Sequence, residues 1–145
     1  MWSVRKGLFF GCLTVLVACI ATWMAFNPPG HFDYHCFGLT VYSGIPFPVV
    51  DLVVYANGLP GIRSSKEHWV SVEEFNQLIS HQASDYPEVV IIGTGYEGRV
   101  QVDERILARG ERPIVETLPT PQAVRRFNEL RAAGKRVAAI IHSTC

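Results

Sequence analysis

The sequence predicts an α/β domain behind an apolar N-terminal segment, and three observations carry this prediction. The chain has 145 residues, about the length of one domain, which leaves room for one sizeable core. Residues 7–26 contain no charged side chain. From Glu88 onward, apolar strand-like runs alternate with amphipathic helix-like segments, an order typical of parallel strands joined by helices.

Composition and charge exclude several classes of protein. Hydrophobic residues make up 48% of the chain and charged residues 18%, which is too apolar for an intrinsically disordered protein. The 13 basic and 13 acidic residues give a formal net charge of zero. A nearly neutral domain lacks the basic face that nucleic acid requires, so no nucleic-acid partner is expected. Four cysteines without a CxxC pair exclude a dense disulfide scaffold and the usual zinc spacings.

Residues 1–26 are interpreted as an N-terminal membrane anchor or signal segment. Twenty helical residues span roughly 30 Å, the thickness of a bilayer core, so we favour a single-pass transmembrane helix over residues 7–26. The alternative is a bacterial lipoprotein signal, because Leu16-Val17-Ala18-Cys19 resembles a lipobox, with Cys19 as the lipidated residue. Arg5 and Lys6 precede the apolar run, so the positive-inside rule places the domain outside the cytoplasm, at a bacterial inner membrane.

The first half of the domain contains short predicted strands. Residues 27–36 are rich in proline and glycine and are predicted to be a linker, so that the domain spans residues 37–145. Residues 37–42 and 49–55 are apolar, β-branched and aromatic, which is typical of strands. Pro46 and Pro48 between them predict a kinked or edge position, because proline cannot donate to a strand ladder.

A turn and a helix follow these strands. Asn57-Gly58 is a turn signal. Ser71 and Glu74 are spaced as a capping box, in which each side chain binds a backbone N–H at the start of a helix. The predicted helix has one apolar face, formed by Val72, Phe75, Leu78 and Ile79.

The second half alternates between strands and helices. Residues 89–92 and 137–141 are continuous apolar runs, as in strands covered on both faces. Between them, residues 103–109 predict a short helix and residues 114–115 begin another strand. Thr120 is the predicted N-cap of the last helix, with Pro121 at its first position.

Residues 93–98 read GTGYEG and match the GxGxxG pattern of dinucleotide-binding loops, and Glu116 lies roughly where such folds carry a ribose-binding acid. In those folds, however, the loop opens a long helix that holds the pyrophosphate. Here residues 99–102 alternate like a strand. We therefore interpret the glycines as a tight turn at a sheet edge and expect no dinucleotide cofactor.

His142-Ser143-Thr144-Cys145 follows the last predicted strand. If that strand is parallel to the one ending at Ile92, both carboxyl ends open into one crevice, which is where ligands bind in open α/β sheets. Thr120 is expected at the same rim. In a functional interpretation His142 is a donor or base and Cys145 a thiol; in the alternative, the histidine caps the strand and the cysteine is inert. The sequence assigns no acidic partner to His142.

Two further groups of residues carry weaker signals. His31, His35 and Cys36 lie in the predicted linker without a second ligand pair, so no metal site is expected. Cys36 and Cys145 are candidates for a disulfide if the domain lies outside the cytoplasm.

Five motifs, in order, resemble the Mth938-like family, a family of domains of unknown function. The resemblance covers roughly residues 36–145 and is strongest after Ser71. The motifs are residues 87–95 (PEVVIIGTG), 118–123 (LPTPQA), 127–130 (FNEL), 134–139 (GKRVAA) and 142–145 (HSTC).

The resemblance implies a single three-layer α/β domain with a mixed central sheet and no established catalysis. Members of the family are linked to the assembly of respiratory complex I or to regulatory protein contacts, so a protein partner is expected. The motif positions that carry over to a shared crevice are Gly93, Thr94, Gly95, Thr120, Asn128, His142 and Cys145.

These expectations combine into a membrane-anchored, non-catalytic interaction or assembly domain without a cofactor. The alternative function is a small-molecule-binding domain or cryptic enzyme that uses the crevice at residues 93–95 and His142. A concave site with convergent polar groups would favour the alternative, and a filled crevice would favour the assembly role.

Overall fold

The structure is a computed structural model that describes residues 2–26, 30–65, 67–81 and 83–145. Its α-helices are α1 (Trp2–Phe26), α2 (Val72–Ile79), α3 (Glu104–Leu107) and α4 (Thr120–Ala132). Its strands are β1 (Phe32–Cys36), β2 (Leu39–Tyr42), β3 (Ile45–Pro48), β4 (Leu52–Val54), β5 (Pro60–Ile62), β6 (Trp69–Val70), β7 (Val89–Gly93), β8 (Gln101–Val102), β9 (Ile114–Leu118) and β10 (Val137–Ile141). A single 3-10 turn lies at Ala83–Asp85 within the described ranges.

The central sheet has five strands in the order β5-β4-β10-β7-β9. The strands β10, β7 and β9 run parallel, whereas β4 pairs antiparallel with both β10 and β5. The mixed sheet implied by the family resemblance is therefore confirmed. Every residue of β7 and β10 is buried, because both faces of the sheet are covered.

Side chains of alternate residues enter two separate cores, one on each face of the sheet. Ile91 of β7 packs on the side of α4, in a cluster that includes Phe127. Its neighbour Ile92 packs on the opposite side, in a cluster that includes Phe75 of α2 and Ile106 of α3. The domain thus consists of a sheet between two helical layers.

The predicted linker over residues 27–36 is wrong from residue 32 onward; residues 27–29 lie outside the described part of the chain. Phe32 begins β1, which pairs with β2 and, through β2, with β3 in a second small sheet. The Phe32 side chain is 2% exposed and meets the Phe127 ring at 5.0 Å between centroids. Asn128 accepts from the Phe32 N–H at 2.9 Å and donates to its carbonyl oxygen at 2.8 Å. A single buried aromatic residue in a polar stretch gives no periodic signal, which explains the error.

Helix caps confirm one prediction and correct two others. The Ser71 hydroxyl accepts from the Glu74 N–H at 3.1 Å, as predicted for the N-cap of α2. The Glu74 carboxylate, however, binds Arg63 at 2.6 Å, so only half of the capping box forms as predicted. At α4 the N-cap is Pro119, and Thr120 is the first helical residue. The predicted N-cap role of Thr120 is wrong because its hydroxyl binds the end of β10.

The N-terminal helix α1 contains the predicted apolar run over residues 7–26. Its large apolar side chains between residues 9 and 23 are exposed, as shown by Phe9 at 67% and Ile20 at 50%. Among the residues that the structure describes, no helix reaches both the length and the apolar character needed to cross a membrane. The transmembrane part of the prediction thus finds no support in the structure.

Candidate functional site

The antiparallel pairing of β4 with β10 brings Asp51 and His142 together. The ladder aligns Leu52 with Ile141, so the residue before β4 faces the residue after β10. His142 Nδ1 lies 2.5 Å from Asp51 Oδ2, and Asp51 Oδ1 accepts from the Ser143 N–H at 2.9 Å. Since the carboxylate accepts the Nδ1 proton, the lone pair of the neutral ring lies on Nε2. The structure thereby supplies the acidic partner that the sequence did not assign.

Cys145 and His68 complete a cluster around the His142 ring. Cys145 Sγ lies 3.4 Å from His142 Nε2 and 2.8 Å from His68 Nε2. The donor atoms of the three residues all lie within 4.8 Å of one another. His142 is buried, Cys145 half-buried and His68 exposed, so the cluster extends from the core to solvent.

Arg63 holds Asp51 and the His68 segment in place. Its side chain is buried and pairs with Glu74 at 2.6 Å and with Asp51 at 3.5 Å. It also donates to the carbonyl oxygens of Glu67 at 3.0 Å and Trp69 at 2.8 Å, on either side of His68. Burial alone would lower the pKa of Arg63, but the hydrogen bonds and charges of Glu74 and Asp51 outweigh it, and the net shift is upward. The guanidinium therefore stays charged and fixes both parts of the site.

A groove of about 350 Å³ opens beside this cluster, with His68, His142 and Thr144 among its lining residues. Val49 and Ile62 form an apolar part of the lining and are 74% and 64% exposed. Val49 has φ of +56°, which is rare for a β-branched residue. Strained backbone of this kind clusters at functional sites. An apolar wall with convergent polar groups is the usual character of a small-molecule site.

The glycine turn, residues 93–98, packs against residues 142–145. Gly95 has φ of +92°, and a side chain there would overlap the Cys145 carbonyl oxygen. The Thr120 hydroxyl accepts from the Gly95 N–H at 3.1 Å and donates to the His142 carbonyl oxygen at 2.6 Å. Glu116, which stands roughly where a dinucleotide fold carries its ribose acid, pairs with Arg126 at 2.9 and 3.0 Å. Gly93 ends the inner strand β7, and Gly95 lies in the turn that follows, against the segment after β10.

The structure divides the predicted crevice into three parts. His142 and Cys145 belong to the cluster, and His142 also lines the groove. Asn128 lies elsewhere, where it holds β1 and lines a different depression beside His31 and Arg131. Gly93, Gly95 and Thr120 pack behind the segment after β10, and Thr94 donates to the Leu118 carbonyl oxygen at the end of β9.

The residues near the predicted linker do not join the cluster. His35 Nδ1 lies 3.0 Å from the Tyr96 hydroxyl. Burial lowers the pKa of His35, and the charge of Arg125 lowers it further. Cys36 and Cys145 are both free thiols, so the disulfide considered from the sequence is not formed here.

Sequence reasoning missed Asp51, Arg63 and His68. Asp51 and Arg63 flank short strands, and their position beside His142 follows only from the antiparallel pairing of those strands. A predicted β4–β10 pair would have placed Asp51 opposite His142. His68 precedes a two-residue strand and carries no motif that could have identified it.

Comparison with known proteins agrees with this fold. The model of a protein family described as "Protein of unknown function (DUF498/DUF598)" matches residues 39–142. The solved structure of a protein named MT938 is 34% identical, with 79% of this chain and 98% of that chain covered and a TM-score of 0.65. No match is found among the curated proteins.

Two further solved structures are similar. A conserved hypothetical protein of Pyrococcus horikoshii, PH1505, is 27% identical, with 79% of this chain and 98% of that chain covered and a TM-score of 0.66. A Mth938-like domain of Bordetella pertussis is 18% identical, with 78% and 85% covered and a TM-score of 0.58, which shows a shared fold.

We expect Gly95→Ala to destabilise the domain by about 3 kcal/mol, because overpacking adds to the cost of a left-handed backbone. The matched control is Gly134→Ala, which also has positive φ but open space around the new Cβ. It should cost only about 1–2 kcal/mol. Urea denaturation of both variants measures the difference, and equal midpoints would contradict the overlap with Cys145.

Replacing Arg63 with methionine should destabilise the domain by about 3 kcal/mol, because it leaves two largely buried carboxylates without their cation. Adding Glu74→Gln should recover part of the loss, since one unpaired charge is then removed. Urea midpoints of the single and double variants provide the measurement. A single variant as stable as the unmodified chain would show that Arg63 does not hold the site.

Proposed function

The chain belongs to the DUF498/DUF598 family, the Mth938-like domains, and since that family is described as of unknown function, we propose a function from the site itself. The domain binds a small molecule in the groove beside the Asp51–His142 pair. The observation that carries this proposal is the 2.5 Å contact between His142 Nδ1 and Asp51 Oδ2. It fixes the imidazole so that Nε2 can make a directed hydrogen bond at the polar end of the groove.

The two sides of the groove indicate the kind of molecule that it accepts. Val49 and Ile62 suit an apolar part of the ligand, whereas His68, His142 and Thr144 suit a polar head group. The volume of about 350 Å³ falls within the range of roughly 300–1,000 Å³ that is common for small-molecule sites. The groove is open rather than filled, which supports the binding function over a purely assembly-based role.

A screen of small metabolites against the full chain should find compounds that raise its melting temperature. A ligand at a hundredfold excess over its Kd adds about 2.7 kcal/mol, which corresponds to a rise of several degrees. His142→Ala should abolish the rise, because it removes the fixed hydrogen-bonding group. Differential scanning fluorimetry provides the measurement.

The control for this screen is His35→Ala, which changes a histidine that contacts Tyr96 and leaves the groove intact. It should keep the full response. A flat response across a broad panel, or a response that survives in the His142 variant, would contradict the proposed binding site.

We propose a second candidate function for α1, namely attachment of the domain to a membrane, where it meets the protein partner that the family resemblance implies. Residues 7–26 carry no charge. Large apolar side chains such as Phe10 and Val17 are 64% and 57% exposed along this helix. Such a surface is costly in water, and lipid is the environment that removes the cost.

The full chain should stay with membranes through carbonate extraction, and the double variant Leu13→Arg, Val17→Arg should be released. Charged residues in the apolar interior of a bilayer cost several kcal/mol each, which opposes attachment. The matched control is Leu107→Arg, which changes an exposed leucine of α3. That variant should remain attached.

Cys19→Ser separates the two modes of attachment. The variant stays in the membrane fraction if the helix itself is the anchor, and it is released if lipidation of Cys19 provides the anchor. Recovery of the unmodified chain in the soluble fraction would contradict both.

A further inference from the structure

We propose that His68, His142 and Cys145 form a binding site for a divalent transition-metal ion of the zinc class. No metal site was expected from the sequence, where only His31, His35 and Cys36 were considered as ligands. The fold brings their donor atoms within 4.8 Å of one another. The inference goes beyond the proposed function and does not depend on it.

One donor distance already fits tetrahedral coordination, and the other two require the His68 side chain to move. Zinc binds nitrogen at about 2.0–2.1 Å and sulfur at about 2.3 Å, which places neighbouring donor atoms roughly 3.3–3.6 Å apart. His142 Nε2 and Cys145 Sγ are 3.4 Å apart, within that range. His68 Nε2 lies 2.8 Å from Sγ and has to move back by several tenths of an ångström. His68 is exposed, so its side chain has room for this movement.

Asp51 gives the site the supporting contact that metal-binding histidines usually have. Such a histidine donates its other ring N–H to a carboxylate or a carbonyl oxygen, which fixes the ring and makes the ligating nitrogen more basic. The His142–Asp51 contact supplies this arrangement. Arg63 and the Ser143 N–H in turn hold the carboxylate. The ligating nitrogen of His142 is therefore oriented before any metal binds.

The donor set selects the class of ion. Two imidazoles and one thiolate suit zinc and its first-row neighbours, whereas calcium and magnesium prefer oxygen ligands. Three protein ligands leave one coordination position for water or for a bound molecule, as in catalytic rather than structural zinc sites. His68 and His142 also line the groove. A ligand of the groove with a carboxylate or thiolate head group would coordinate the ion at that position.

Titration of the reduced, metal-free full chain with Co²⁺ tests the site, because a cobalt–thiolate bond gives a near-ultraviolet charge-transfer band. We expect one equivalent to produce the band and Zn²⁺ to displace it. Cys145→Ser should abolish the band, and His68→Ala should weaken binding at least tenfold. Asp51→Asn should weaken it 10- to 100-fold, as expected for the partner of a ligating histidine.

Cys36→Ser and His35→Ala are the matched controls, since they change the same residue types outside the cluster. Both should keep the band and the affinity. Absence of the band, or a band that is lost with Cys36 and kept without Cys145, would overturn the proposal. Circular dichroism of each variant shows whether a lost band reflects a lost fold.

The proposed metal site can also be tested on the unmodified chain, by measuring the reactivity of its cysteines. Saturating Zn²⁺ should slow the alkylation of Cys145 by iodoacetamide at least tenfold, while the other cysteines keep their rates. Equal rates with and without Zn²⁺ would overturn the proposal. Cobalt binding with a flat metabolite screen would retain the metal site and reject small-molecule binding, whereas the reverse result would reject the metal site alone.

Discussion

The antiparallel pairing of β4 with β10 is the interaction on which the site depends. β10 lies at the centre of the sheet, with parallel β7 on one side and reversed β4 on the other. The start of β4 therefore lies beside the end of β10, which is why Asp51 meets His142. The return strand β5 ends at the same edge, because Ile62 pairs with Leu52. In an all-parallel sheet the Asp51 position would lie at the opposite end, and the imidazole would lack its carboxylate.

A second constraint comes from α4 and the glycine turn. Thr120 opens α4 and uses its hydroxyl to join the Gly95 N–H to the His142 carbonyl oxygen. The hydroxyl is buried, so each of these hydrogen bonds satisfies a group that would be costly to leave unpaired. The segment after β10 thus passes close to Gly95, where a side chain would block it. This passage requires a glycine at residue 95.

Elements with a local periodic signal could be predicted, and the elements that depend on distant partners could not. The strands near Ile91 and Ala139 and the buried face of α4 follow from apolar runs and helical spacing. The strand that begins at Phe32 was not predicted, because a single buried aromatic residue gives no periodic pattern. Thr120 and Glu74 have the residue types of helix caps, but distant partners compete for their side chains. Local rules describe which bonds a side chain can make, and the fold decides which bonds it does make.

The same limit applies to the site. His142 and Cys145 were recognised because they follow a buried strand, where α/β folds place their ligands. Asp51 is 91 positions from His142 in the sequence, and only the strand pairing relates the two. The position of Asp51 beside His142 therefore follows from the topology of the sheet. The glycine motif, which is conspicuous in the sequence, supports the site through the close approach at Gly95.

Within the cluster His142 is held rigidly, whereas the His68 side chain can move. The difference follows from the contacts that each residue makes. His142 is buried, follows a central strand and is fixed by Asp51. His68 is exposed and precedes a two-residue strand at the periphery, so its side chain has fewer contacts to lose when it moves. A ligand that enters the cluster should therefore displace His68 rather than His142. In the proposed metal site the Asp51–His142 pair would set the geometry, and His68 would adapt to the bound ion.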